Sequence, residues 1–238
     1  MYICPQQNAI TKRCYIFAGI LALLVTSCSN PKADVKKVLD ASRVGDLQAV
    51  RSEVDKDSTF PGELNQIGPQ LPLTPMHVAA FEGHADVLRY LVSKGVQVDL
   101  RDANGATALM QASAGGQSES VKALLACGAD PNAKDGSFST SLSLAASGGK
   151  TEVARILLDA GASVDGQAGV KPLYLAAVGG YVETVRLLLD RGADVSKYDI
   201  RLSSEKGHKD VASTLRKAFI KKYGIDPDLY DKGNVSSR

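Results

Sequence analysis

From Leu73 onward the apolar positions repeat. Val87, Leu88, Leu91 and Val92 are spaced i, i+1, i+4, i+5, which places them on one face of a helix. Equivalent sets recur at Val121, Leu124 and Leu125, at Val153, Ile156, Leu157 and Leu158, and at Val185, Leu188 and Leu189. A pair of small residues precedes each set: Ala79-Ala80, Ala112-Ser113, Ala145-Ala146 and Ala176-Ala177. A glycine follows each: Gly95, Gly128, Gly161 and Gly192. The small pairs let two helices approach closely, and the glycine permits a left-handed C-cap. The pattern predicts helix–turn–helix units. None can bury its apolar face alone, so stacking must supply a continuous core.

The amino-terminal stretch follows another pattern. A polar segment ends in Lys12-Arg13, and Cys14 to Val25 is apolar and uncharged. As a helix that run covers about 18 Å, short of a hydrocarbon core of about 30 Å. It fits the h-region of a secretory signal. The following Val25-Thr26-Ser27-Cys28 resembles a bacterial lipobox. The resemblance implies cleavage before Cys28 and lipidation of that cysteine, hence a periplasmic protein anchored in a membrane. Ser29 after the cysteine implies the outer membrane by the sorting rule of enteric-type lipoproteins. Residues 1–27 are then a signal peptide, and 28–34 the lipidated cysteine and a short tether.

The repeated block is 33 residues long. Thr74, Thr107 and Thr140 keep that spacing, and Lys171 follows 31 later. With Thr74-Pro75-Met76-His77-Val78-Ala79, this period resembles the ankyrin repeat. Thr74 suits a helix N-cap and Pro75 a first turn. The resemblance implies an all-α repeat solenoid with β-hairpin fingers, spanning 35–222, with four central repeats between caps. Leu39 to Val50 reads as the N-terminal cap and Leu202 to Ala212 as the C-terminal one. Residues 223–238 read as a polar tail. Gly45 to Gly83 exceeds one period by five residues, so 55–73 carries an insertion. Its Phe60, Leu64 and Ile67 either form an exposed apolar contact finger or fold back over the first repeat.

Ankyrin proteins mostly bind proteins through hairpin tips and the concave face of the first helices. Carried over by position, the hairpins offer Arg101 and Asn104, then Lys134 and Ser137, then Asp165 and Gln167. The first helices offer Phe81-Glu82, Ala114-Gly115, Ser147-Gly148 and Val178-Gly179. Three of these four pairs are small, which suggests a smooth, deep groove. Phe81, with Arg101 as its nearby charge, is the favoured contact, since aromatic and Arg side chains dominate interface energetics.

Composition narrows the functions. Lys plus Arg number 28 against 26 Asp plus Glu, and losing Lys12 and Arg13 would leave the chain neutral, with no overall pull on nucleic acid. There is no Trp, and aromatics are 5% of residues, which disfavours a base-stacking platform or a large aromatic cofactor pocket. His77, His84 and His208 occupy ankyrin structural positions. Gly148-Gly149-Lys150-Thr151 lacks the first glycine of a phosphate loop and follows a helix. Asp102, Asn104 and Gly105 mimic part of a calcium loop whose first and twelfth positions are Leu100 and Gln111, so a tight turn is the reading. Cleavage and lipidation would leave Cys127 as a lone thiol. No catalytic residue, metal ligand or cofactor is expected, and the chain is expected to be a monomer.

Small lipoproteins with solenoid repeats occur as immunity proteins against antibacterial effectors, including phospholipases, delivered by type VI secretion. The resemblance therefore implies a membrane-anchored binder that neutralises a toxin. Its alternative is an envelope scaffold or chaperone-like factor supporting a periplasmic enzyme, for instance in oxidative-stress defence.

Overall fold

The computed structural model describes residues 31–67, 71–166 and 170–230, which form fourteen helices. They are α1 (Pro31–Val44), α2 (Leu47–Val54), α3 (Phe60–Ile67), α4 (Pro75–Glu82), α5 (Ala85–Ser93), α6 (Ala108–Gly115) and α7 (Ser118–Ala126). Then come α8 (Ser141–Ser147), α9 (Thr151–Asp159), α10 (Pro172–Val178), α11 (Val182–Asp190), α12 (Lys197–Glu205), α13 (Lys209–Tyr223) and α14 (Pro227–Tyr230). Two rows of helices stack side by side. In one, α1, α4, α6, α8, α10 and α12 pack each against the next, and in the other α2, α5, α7, α9, α11 and α13 do so. The apolar sets of the second helices lie between the rows. Val87, Leu88 and Leu91 are buried, as are Val121, Leu124, Val153, Leu157, Val185 and Leu188, in one cluster running from Val35 to Phe219. The expected all-helical repeat solenoid, four central units between two caps, is the fold.

Polar side chains fix the repeat-to-repeat register. His84 Nε2 donates to the Arg43 carbonyl (3.0 Å), Gln117 Nε2 to Phe81 (3.0 Å) and His208 Nε2 to Val178 (3.0 Å). These bonds align the carboxyl-terminal ends of successive first helices. A second ladder runs along the other side of the units. Asn132 donates to the Gly161 carbonyl (3.0 Å) and accepts from the Ser163 amide (2.8 Å). Asn65 makes the same two bonds to Gly95 and Gln97, both 2.9 Å. Asp99 and Asp165 occupy equivalent positions but only accept, from the Asp130 and Asp194 amides.

Asn65 shows what the 55–73 insertion is. Thr59 donates its amide and hydroxyl to the Asp57 carboxylate, and helix α3 begins one residue later. Phe60 (4% exposed) and Leu64 (0%) enter the main core. The segment thus folds in as part of the first unit, and Phe60 and Leu64 are not an exposed contact finger. Burying these two large apolar groups favours the folded helix over an exposed loop. Ile67 closes α3.

Both ends differ from expectation too. Helix α1 begins at Pro31, within the expected tether. The expected polar tail is folded as far as Tyr230: α13 runs to Tyr223, Gly224 turns the chain (φ 69°), and Ile225 packs on the core. Arg216 Nη2 reaches both Asp226 Oδ1 and Asp228 Oδ2 at 2.5 Å, pinning α14 back against α13. The amino-terminal cap is tied down by Tyr90, whose hydroxyl donates to Asp55 Oδ1 (2.8 Å). Burial and this bond push its pKa up to about 12.

Candidate protein-binding face

Each first helix starts at a turn, so the turns form one edge of the molecule and the first-helix row leads away from it. The expected strand fingers are tight turns instead: among the described residues the only bridge is Arg101 with Thr107. The sequence accounts for these turns. Asp102 Oδ1 accepts from the Asn104 amide (2.8 Å) and the Ala106 amide (2.9 Å). Asp135 Oδ1 repeats this with Ser137 and Ser139, both 2.8 Å. The carboxylate closes the turn from inside, so the resemblance to a calcium loop reflects a turn. Backbone bonds couple successive turns: Ala103 N–H to the Leu71 carbonyl (2.9 Å) and Gly136 N–H to the Asn104 carbonyl (3.1 Å).

Helix starts on this edge are capped in different ways. Thr140 and Ser196 form full capping boxes with Ser143 and Asp199. Thr74 sits at an N-cap but its hydroxyl is spent on His77 Nδ1 (2.7 Å) rather than on a backbone amide. His77 Nε2 donates to the Ala106 carbonyl (2.9 Å), which fixes its tautomer, and burial holds its pKa below the ordinary value.

The structure separates the residues that the sequence grouped. Phe81 is 47% exposed and Glu82 is exposed, but both lie at the carboxyl-terminal end of α4, whereas Arg101 and Asn104 lie in the turn before α6. A helix of eight residues, about 12 Å, separates the two ends, so Arg101 is not the charge beside Phe81. Arg101 is also a strut. Its Nη1 donates to the Gly105 carbonyl (2.7 Å) and the Lys134 carbonyl (2.5 Å), tying one turn to the next. Asn104 and Ser137 are exposed at turn tips and Lys134 is half-buried. Asp165 is committed to the Asp194 amide, and Val178, half-buried, offers its carbonyl to His208. Gln167 and Cys28 lie outside the described residues.

The small residues have a packing reason. A Cβ on Gly115 would stand 2.6 Å from the Phe81 carbonyl oxygen, and one on Gly179 would stand 2.2 Å from the Tyr181 ring. These glycines allow close backbone and ring approach, so they do not by themselves describe a deep groove.

A family model for ankyrin repeats (three copies) matches residues 38–135 and 136–199. The chain belongs to the ankyrin-repeat family. Ankyrin repeat and SOCS box protein 1 of Mus musculus is 36% identical over 88 residues, 34% of this chain and 26% of that protein. The human protein of the same name matches equally, at 36% over 88 residues. The probable E3 ubiquitin-protein ligase XBOS32 of Oryza sativa subsp. japonica is 35% identical over 102 residues, 40% of this chain and 18% of that one. The chain thus spans about a quarter or less of these relatives' length. An ankyrin stack is in general a protein-interaction module without catalytic chemistry.

Two exposed aromatic features carry no signal in the repeat motif. Phe138 is 56% exposed at a turn tip. Tyr174 and Tyr198 stack with ring centroids 6.0 Å apart, and Arg201 lies over the Tyr198 ring at 5.5 Å. The signal for the first was the 33-residue count itself, which sets Phe138 on Gly105.

Proposed function

We propose that this ankyrin protein is held at a bacterial envelope membrane through Cys28 and binds an antibacterial effector, of phospholipase type, so as to neutralise it in the periplasm. The observation that carries the binding role is the exposed, chemically varied edge of turns set on a rigid stack. Side chains such as Asn104, Ser137 and Phe138 stand free there while the backbone beneath them is cross-bonded. A preorganised surface loses little entropy on association. The basic flank, apolar run and lipobox support the anchor. Anchoring raises local concentration at the membrane that such a toxin attacks, without any new contact. The E3-ligase name among the relatives describes a protein of which this chain covers under a fifth, and it is not carried over.

The test is purification of the tagged, lipidated protein from its native envelope, with identification of what co-elutes and assay of its activity. One stoichiometric toxin whose activity is lost on binding is the expected result. A housekeeping periplasmic enzyme with retained or raised activity would replace neutralisation by scaffolding. In parallel, Cys28→Ala should move the protein from the membrane to the soluble fraction. A variant that still sediments with membrane removes the anchor from the proposal while leaving partner binding intact.

A further inference from the structure

Among the described residues, Phe138 alone of the non-glycine residues has a left-handed backbone (φ 62°). Its register partner one repeat earlier is Gly105 (φ 77°), which meets the same requirement freely. A bulky aromatic there is a conformational outlier. The fold gains nothing visible from the ring: it is 56% exposed and joins neither buried apolar cluster. Strain kept at an exposed side chain without a packing role points to use.

The charges beside it are unequally engaged. The carboxylates of this turn and the preceding one, Asp135 and Asp102, are drawn inward onto backbone amides. The cations remain outward. Arg101 is held only by carbonyl oxygens, and among the described residues neither it nor Lys134 has a carboxylate within ion-pair distance. On the second helices the opposite holds. Asp86–Arg89 (2.7 Å), Glu119–Lys122 (2.9 Å), Glu152–Arg155 (3.5 Å) and Glu183–Arg186 (3.3 Å) pair in every central unit.

We propose that Phe138, flanked by Lys134 and Arg101, anchors an acidic partner protein: the ring enters an apolar pocket whose rim carries Asp or Glu side chains. The ring supplies contact area with only two torsions to freeze, and the cations orient the encounter. The assignment is independent of the Cys28 anchor, because it concerns only the turn edge.

Two variants separate ring from backbone. Phe138→Gly removes both ring and strain, and should raise Tm by about 2–4 °C. Phe138→Ala removes the ring but keeps the strained backbone, and should leave Tm within about 1 °C. The probe for binding is a random dodecapeptide library displayed on phage, panned against the full chain in detergent. Recovered peptides should carry Asp or Glu beside a large apolar residue. They should bind Phe138→Ala, Phe138→Gly and Lys134→Glu at least tenfold more weakly. A fall in Tm of several degrees for Phe138→Gly would make the ring a packing element and overturn the proposal. So would peptides that are neutral or basic, a library that yields no sequence above the Phe138→Ala control, or unchanged affinity for the variants. A dimer in sedimentation that Phe138→Ala dissociates would give the pocket to a second copy of this chain instead.

Discussion

One register position, three residues after the first-helix N-cap, is filled by His77, Met110, Ser143, Tyr174 and Asp199, which between them serve four different roles. Ser143 and Asp199 complete capping boxes, Met110 fills a small cluster with Ala106 and Ala133, and Tyr174 stacks on Tyr198. His77 is buried and bridges two units, and burial lowers its pKa below the ordinary 6.5. The unfolded chain therefore takes up this proton first as pH falls. Stability from the neutral ring is complete above about 6.5 and is lost as pH drops through the lowered folded-state value. Thermal melts from pH 7.5 to 5 should show Tm falling, and His77→Gln, which can still donate to the Ala106 carbonyl, should flatten the profile. An equally steep profile in that variant would assign the proton elsewhere. Residue-level chemistry was partly legible: the histidines read as structural are structural. Phe138 escaped because attention to which glycines recur does not register the place where one is missing.

At the scale of elements, the helices with long apolar sets were readable because their period is strong and their glycine stops are regular. Helix α3 was not, because Pro61, Gly62 and the surrounding prolines punctuate the segment like a loop. The contrary signal was present, since Phe60, Leu64 and Ile67 have helical i, i+4, i+7 spacing. Leu64 is fully buried, so Leu64→Ala should cost about 2–5 kcal/mol in urea unfolding. A cost below about 0.5 kcal/mol, typical of a surface change, would restore the exposed finger. The carboxyl-terminal clasp was missed for a different reason. Arg216, Asp226 and Asp228 sit in a charged stretch whose pairing depends on the turn at Gly224, and composition does not encode that turn.

For the whole molecule, stacking follows from repetition, and the register from ladders that only coordinates reveal. The Asx ladder joins Asn65, Asp99, Asn132 and Asp165 to their following units, yet only the two asparagines donate as well as accept. Asp99→Asn should add the missing bond, to the Gly128 carbonyl, and stabilise the stack by about 1 kcal/mol. Unchanged or lowered Tm would show that the carboxylate has another role. The binding face was the least legible level. Family position grouped Phe81 with Arg101, and the length of one helix parts them. The paired charges along the second helices have a kinetic consequence. A charged molecule diffusing towards that side meets alternating signs that cancel within a Debye length, so little torque turns it there. Productive collisions are then selected by the turns, and the salt sensitivity of the association rate becomes a reading of the cations that no carboxylate pairs there, Lys134 and Arg101 among them.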